Sequence, residues 1–223
     1  MTTFLEEYAP AGTPGHDRAA WHHRVVVLAS GTGSLLQSML DSLDGTVEIV
    51  AVGADRPCRA LTRAEDAGLT TFLEEYAPAG TPGHDRAAWN HRLAERIAGH
   101  RPDLVVSAGF MRILGEEVVD RFRGRIINTH PALLPAFPGA HAVADALNYG
   151  VAVTGSTVHV VDTGVDTGPI LAQRAVDVRH DDTVDTLHER IKTVERQLIV
   201  DVLHAISRTG YSIDGRKAWI NHD

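Results

Sequence analysis

The sequence predicts an α/β fold: a Rossmann-like, largely parallel twisted sheet with helices on both faces, plus an added C-terminal hairpin and long helix. Three observations carry this. Continuous apolar runs of strand length, such as RVVVLAS and PDLVVSAGF, alternate with helix-length segments, the pattern of strands covered on both faces. After residue 150 two apolar runs follow each other with no helix between them, which reads as a hairpin. The stretch that begins TVDTLHER then repeats apolar residues at steps of three and four, the stripe of a long amphipathic helix.

The elements follow in order from Arg24. RVVVLAS is a fully apolar strand, and GTGSLLQSMLDSL turns into a helix. TVEIVAVGA is a second strand, and RPCRALTRAEDAG a short helix closed by Gly68, because glycine adopts the left-handed conformation that ends a helix. Residues 69–72 make a short third strand. A loop, APAGTPG, leads to a helix capped by Asp85, with Ala88, Leu93 and Ile97 near one face. PDLVVSAGF is another buried strand, opened by Pro102, which can begin a strand but not continue one. GEEVVDRF is a short helix and RIINTH a short strand. GVAVTGSTVHVV and GPILAQRAVDV form the hairpin. In the long helix Val184, Leu187, Ile191, Val194, Leu198 and Val202 share a face, with Asp182 or Thr183 as the cap.

Residues 2–24 recur almost unchanged at 70–92, with only His22 against Asn90 different. Repeat folds need three or more diverged copies to bury a core. The later copy fits its flanks, whereas the earlier one runs straight into a strand. We read residues 1–23 as a duplicated extension with no role in chemistry, and 24–223 as a single domain.

Composition narrows the function. Of 223 residues, 43% are hydrophobic and 22% charged, and the net charge is −8. A polyanion partner needs clustered Lys and Arg; none occurs, so nucleic acid is not expected. Cys58 is the only cysteine, which excludes an intrachain disulfide and suits a reducing compartment. No apolar run reaches the roughly 18 residues of a membrane span, and the N-terminus has acidic residues where a signal peptide needs basic ones. The chain reads as cytoplasmic, with no membrane partner; a homodimer is compatible with it. Its 13 histidines show no HExxH and no paired Cys/His spacing, so no metal is expected.

In an open α/β sheet ligands sit beyond the carboxyl ends of the strands, which points to the loops after Ser30, Phe110, Asn128 and Val161. Gly31, Thr32, Gly33, Ser34 and Leu35 form a glycine loop at a helix start, which suits an anion. A monophosphate is the preferred ligand. A dinucleotide reaching Asp55, or a plain tight turn, are the alternatives. Phe110, Met111, Ile113 and Leu114 form an apolar patch suited to a flat aromatic ligand, or simply core. Asn128 and His130 are two positions apart, hence on one side of an extended backbone, and three prolines and a glycine follow within nine residues. Two donors converging from one side suit a developing oxyanion, and the prolines stiffen the loop. A carboxylate in DTGVDTGPI, Asp162 or Asp166, could raise a nearby histidine's pKa and take up a proton, or merely close a turn. His159 reads as an orienting residue.

The four motifs SGTGSLLQS, AGFMRIL, NTHPALLPAFPGAH and DTGVDTGPI, in this order and spacing, resemble those of the folate-dependent formyltransferases, above all the branch that acts on glycinamide ribonucleotide. The resemblance spans roughly Arg24 to Ser207. It implies formyl transfer from 10-formyltetrahydrofolate, as cosubstrate and without a metal, to the ribonucleotide's amine. It makes Asn128, His130 and Asp166 the catalytic trio, with His130 acting as an imidazolium. The loop Gly31 to Leu35 would hold the phosphate, and Glu195 the ribose. Met111, Arg112, Ile113 and Leu114 would line the folate pocket, with Arg86 on the folate's carboxylate tail. Thr32 and Leu35 depart from the family's commoner asparagines, which costs a side-chain donor to the phosphate. Relatives acting on methionyl-tRNA carry a further C-terminal domain and basic surface, whereas this chain is acidic and ends soon after its long helix. The hydrolases of formyltetrahydrofolate show His-His where this chain has His130-Pro131, and carry an extra N-terminal domain.

Overall fold

The computed structural model describes residues 2–3 and 23–222. In chain order its elements are β1 (Thr2–Thr3), β2 (His23–Ala29), α1 (Ser34–Ser42), β3 (Val47–Ala54), α2 (Arg59–Asp66), β4 (Thr71–Leu73), α3 (Arg86–Gly99), β5 (Leu104–Ser107), α4 (Glu116–Arg121) and β6 (Ile126–His130). They continue with α5 (Ala142–Tyr149), β7 (Val153–Val160), β8 (Ile170–Asp177), α6 (Val184–Thr209), β9 (Tyr211–Asp214) and β10 (Lys217–Ile220). Among the described residues the strands form one ten-stranded mixed sheet, in the order β1-β9-β10-β8-β7-β6-β5-β2-β3-β4.

The half from β6 to β4 is parallel throughout. Its strands are apolar on both faces, and their alternation sorts two cores. Val25, Val27 and Ala29 of β2 pack with Leu36 and Met39 of α1, Ala60 of α2 and Leu198, Ile199 and Leu203 of α6. Val26 and Leu28 pack on the other face with Trp89, Leu93 and Ile97 of α3 and Val118 and Val119 of α4. Each such fully buried aliphatic side chain contributes roughly 1.5–3 kcal/mol. The sheet is therefore a partition, with α1, α2 and α6 on one side and α3 and α4 on the other.

The other half reverses direction. Strand β7 is antiparallel to both β6 and β8, the hairpin expected from sequence. Thr183 caps α6: its hydroxyl accepts from the Thr186 N–H at 3.2 Å, while the Thr186 hydroxyl accepts from the Thr183 N–H at 2.9 Å. Asp85 caps α3 as anticipated, accepting from Ala88 N–H.

Several expectations need correction. Helix α5 was not anticipated, because the proline-rich stretch before it gives no starting signal: His141 precedes it without a side-chain cap bond. A second hairpin, β9–β10, follows α6 and extends the sheet, with β10 paired parallel to β8. Its anchor is Tyr211, buried, whose hydroxyl donates to the Gly124 carbonyl. Val184 lies on the apolar stripe of α6 by spacing but is 43% exposed, since its turn stands next to the cap and beyond the core. Strand β2 begins at His23, inside the residues assigned to the extension. Of that extension, Thr2–Thr3 pair antiparallel with β9; residues 4–22 lie outside the described residues.

Thr183→Ala removes half of the capping pair and should lower unfolding free energy by about 1 kcal/mol. Urea denaturation checks this: the midpoint should fall with an unchanged slope.

Candidate active site

Strand β6 carries the centre of the site. Its side chains alternate: Asn128 and His130 face one way, and Thr129 the other, toward α6 and the buried Glu195 carboxyl. Burial pushes the Glu195 pKa up, against the opposing effects of Thr129, Lys192 and Arg196. Beyond His130 the chain is irregular but held. The Thr157 hydroxyl of β7 donates to the Ala132 carbonyl at 2.7 Å and accepts from the Leu134 N–H at 3.1 Å. The Gln173 amide of β8 donates to the Leu134 carbonyl at 2.8 Å. Sequence inspection gave neither residue a role; each is a polar side chain on a strand next to the loop, and only pairing reveals the contact.

The loop of residues 161–169 arrives in an unexpected way. Because β7 runs against β6, its end lies beside Ile127, not beyond His130. The rule of carboxyl ends therefore misplaces the start of this loop. It folds back over the face, and Asp166 reaches both histidines. Gly168 permits the close return, since a Cβ there would stand 1.7 Å from the Val160 carbonyl oxygen. Asp166 itself has φ 54°, a left-handed conformation that Asp tolerates better than most residues. The two aspartates divide the work. Asp162 closes the turn, accepting from the Gly164 N–H and the Thr167 hydroxyl. Asp166 alone enters the site.

There the side chains form one linked array. Asp166 Oδ2 lies 3.2 Å from His130 Nδ1 and accepts from the Gly139 N–H at 2.8 Å, while Oδ1 lies 3.5 Å from His159 Nε2. His159 pairs across the strands with Asn128. Its Nδ1 lies 3.1 Å from the Val160 carbonyl, and its Nε2 faces the Asn128 amide at 3.3 Å as well as the Asp166 carboxylate. One amide N–H of Asn128 is thereby used and a second remains for a ligand. His130 Nε2 donates to the Phe137 carbonyl at 2.8 Å.

Both contacts of His130 favour a proton, and the neutral ring can satisfy only one of them. Burial nevertheless dominates and lowers its pKa below the ordinary value, with the Phe137 carbonyl and the Asp166 carboxylate pulling upward. The resting ring is thus biased toward the neutral form. The Asp166 carboxyl is held below the usual carboxylate range, first by His159 and then by the Gly139 N–H and the charge that His130 carries when protonated, with burial opposing.

The loop of Gly31 to Leu35 carries the chain from β2 into α1. Gly33 has φ 72° and packs so closely on α2 that a Cβ would lie 2.8 Å from Ala60 Cα. Gly31 and Thr32 are exposed and Ser34 half-buried, whereas Leu35 is only 7% exposed and belongs to the core. It offers a ligand its backbone alone. Arg63 of α2, which sequence reasoning passed over, donates from Nε to the Thr32 carbonyl at 2.9 Å and from a terminal nitrogen to Gln37 at 2.6 Å.

The patch of residues 110–114 divides. Phe110 and Leu114 are buried against α3 and α4, while Met111 and Ile113 are 71% and 56% exposed. Arg86 reaches this loop, donating to the Ile113 carbonyl at 3.3 Å. Arg112 is tied down: its Nε donates to Asp55 at 2.7 Å and its guanidinium lies 4.4 Å over the Tyr76 ring. The same ion pair commits Asp55, so the dinucleotide alternative loses the carboxylate it needs for a ribose. Among the described residues no group of three or more His, Cys, Asp or Glu is arranged around a metal position, and no helix is long and apolar enough to cross a membrane.

Comparisons with known proteins give the family. A family model described as formyl transferase matches residues 23–203. The chain is 56% identical over 197 residues to the phosphoribosylglycinamide formyltransferase of Mycobacterium tuberculosis H37Rv, covering 87% of this chain and 90% of the relative. Among solved structures, glycinamide ribonucleotide transformylase 1 from Symbiobacterium toebii superposes with a TM-score of 0.83 at 39% identity, covering 89% of this chain and 94% of that one. A formyltetrahydrofolate deformylase from Pseudomonas syringae also superposes, at TM-score 0.82 and 26% identity, over 92% of this chain and 67% of that one.

The array makes a sharp electrostatic prediction. Replacing Asp166 by Asn removes the carboxylate that pulls the His130 pKa upward, so that pKa should fall further. NMR titration of the imidazole reads it; an unchanged or raised value would mean that the two groups are not coupled.

Proposed function

The chain belongs to the formyl transferase family, and we propose that within it the protein transfers the formyl group of 10-formyltetrahydrofolate to the amine of glycinamide ribonucleotide, in de novo purine biosynthesis. The observation that carries this reading is the Asn128–His159–Asp166–His130 array at the end of β6. It supplies two donors on one side and a carboxylate tied to one of them, as an acyl transfer through a tetrahedral intermediate requires.

The substrate amine attacks the formyl carbon, and negative charge moves to the former carbonyl oxygen. The second N–H of Asn128 meets that oxygen. His130 donates its Nε2 proton to the oxyanion, which replaces the Phe137 carbonyl as acceptor. The developing charge raises the affinity of the buried imidazole for a proton, and the attacking amine supplies that proton by way of Asp166, so a ring that rests neutral becomes an imidazolium as the intermediate forms, with Asp166 on its other nitrogen. The same proton then leaves His130 by way of Asp166 for the folate nitrogen as the carbon–nitrogen bond breaks, and the ring returns to its neutral form. No covalent enzyme intermediate forms. Gly31 to Leu35 bind the phosphate with backbone N–H groups at the start of α1, and Glu195 meets the ribose. Met111, Arg112, Ile113 and Leu114 form the folate wall, and Arg86 takes the carboxylate tail.

Overall shape does not separate a transferase from a deformylase, since both kinds of relative superpose. Pro131 after His130, where the hydrolases show a second histidine, supports transfer. A net charge of −8 disfavours a tRNA acceptor. We place the protein in the cytoplasm, as a single catalytic domain behind the duplicated N-terminal segment; a homodimer is compatible with the mechanism, which uses residues of one chain.

His130→Ala should lower kcat by about 10²–10³ while leaving both substrates bound. Steady-state kinetics with glycinamide ribonucleotide, methionyl-tRNA and water as competing acceptors test the reading, and faster release of free formate than of formylated amine would overturn it. Deleting residues 2–22 should leave formyl transfer unchanged; loss of activity in a folded truncation would give that segment a function.

A further inference from the structure

Asp55 is a buried carboxylate that the proposed chemistry does not use. It is 2% exposed and sits just past the end of β3, between the end of β2 and the loop that follows β5. Its Oδ2 accepts from Arg112 Nε at 2.7 Å and from Arg56 at 3.0 Å. Burial pushes its pKa up, but Ser30, Arg56 and Arg112 outweigh burial and leave it below the ordinary value, so the group is charged. A buried ion pair is a weak source of stability, because desolvation of the two charges cancels most of their attraction. What such a pair does supply is a defined geometry, and the contacts around it show which geometry that is.

They close into a ring around residues 109–112. The Ser30 N–H donates to the Gly109 carbonyl at 3.2 Å, and the Ser30 hydroxyl accepts from the Met111 N–H at 2.8 Å. The Asp55 carbonyl accepts from the Tyr76 N–H at 3.1 Å, and the Tyr76 ring lies under the Arg112 guanidinium. Tyr76 meets Trp89 edge-on at 5.0 Å, and Trp89 stacks on Phe110 at 6.4 Å. Asp55 thus grips Arg112 twice, through its side chain and through the residue its carbonyl orders, while Ser30 holds Met111 from the end of β2.

We propose that Asp55 is a positioning residue for the folate pocket: through Arg112 and Tyr76 it fixes the backbone from which Met111 and Ile113 are displayed. The inference rests on the folate reading above and assigns roles within it. Arg112 is a strut whose charge is spent inside the protein. Arg86, exposed and with its single weak contact to the loop, is the cation that meets the ligand's carboxylate.

The test separates the two substrates. Asp55→Asn keeps the size and removes the charge; it should raise KM for 10-formyltetrahydrofolate about tenfold while KM for glycinamide ribonucleotide and kcat change by less than about threefold. Arg112→Met should give the same split, and the double variant should be no worse than the worse single, as residues of one chain of contacts are not additive. Isothermal titration with tetrahydrofolate should show the same weakening without any turnover. A folate KM within twofold of wild type, both KM values rising together, or additive effects in the double variant would overturn the proposal. Should Asp55→Asn fail to fold, Arg112→Met decides by the same split. A wild-type protein that binds tetrahydrofolate and transfers nothing would sink the proposed reaction and leave the Asp55 inference standing.

Discussion

Asp166 holds a carboxylate between two buried imidazoles, 3.2 Å from one and 3.5 Å from the other, and an ionised group so enclosed persists only where its surroundings return what water would have given. Here the return comes from the Gly139 N–H and from the histidines. The arrangement constrains everything nearby. His159 must hold Nε2 between Asn128 and Asp166, and residue 139 must lie close enough to donate, which fixes the far end of the proline-rich loop. Loop, strand pair and turn are thus tied to a single carboxylate, and none of them can shift without exposing it.

That coupling depends on strand register. Asn128 stands opposite His159 and His130 opposite Thr157. The side-chain period of a strand is two, so a slip of one residue would turn Asn128 and His130 toward α6 and bring Thr129 and Ile127 to the site. Two devices prevent the slip. The residues flanking the array, Ile126 and Ile127, are buried in opposite cores, so neither face would accept the exchange. The Thr157 hydroxyl also holds the loop that leaves β6 at both Ala132 and Leu134. The catalytic geometry is consequently a by-product of ordinary core packing, reinforced by one buried threonine.

Most of the scaffold was legible because its strands are apolar on both faces and its helices carry ordinary caps and glycine stops. Asp85 and Thr183 cap where their spacing says they should, and Asn128, His130 and Asp166 meet as their motifs imply. What escaped was set by tertiary contact. Helix α5 has a weak start that only packing against α6 sustains, and β9–β10 depends on Tyr211 reaching Gly124. Leu35 lies in a motif that suggests a ligand, yet helical phase turns it to the core beside Leu36 and Met39. Phe110 and Leu114 belong by composition to the patch with Met111 and Ile113, but a short irregular loop sends alternate residues inward. The antiparallel course of β7 also defeats a rule made for parallel strands, although Asp166 arrives where the motif requires it.

The same topology explains why the chemistry sits on β6 and on no other strand. Its neighbour β5 is parallel and pairs Ser107 with Asn128, so the loop after β5, with Met111 and Ile113, emerges at the end where Asn128 and His130 stand. Its other neighbour, β7, is antiparallel and sets His159 directly opposite Asn128. A strand with two parallel neighbours would gain two loops but no facing histidine held in register, and one with two antiparallel neighbours would lose the loop. Thr129, between the two catalytic positions, points through the sheet to Glu195 on the face of α1 and α6. On the proposed reaction the ribonucleotide occupies that face and the folate the loop after β5, so the two substrates are kept apart by the sheet itself. They meet at the carboxyl end of β6, where the alternation of a single strand presents one residue to the acceptor's side and the two beside it to the donor's.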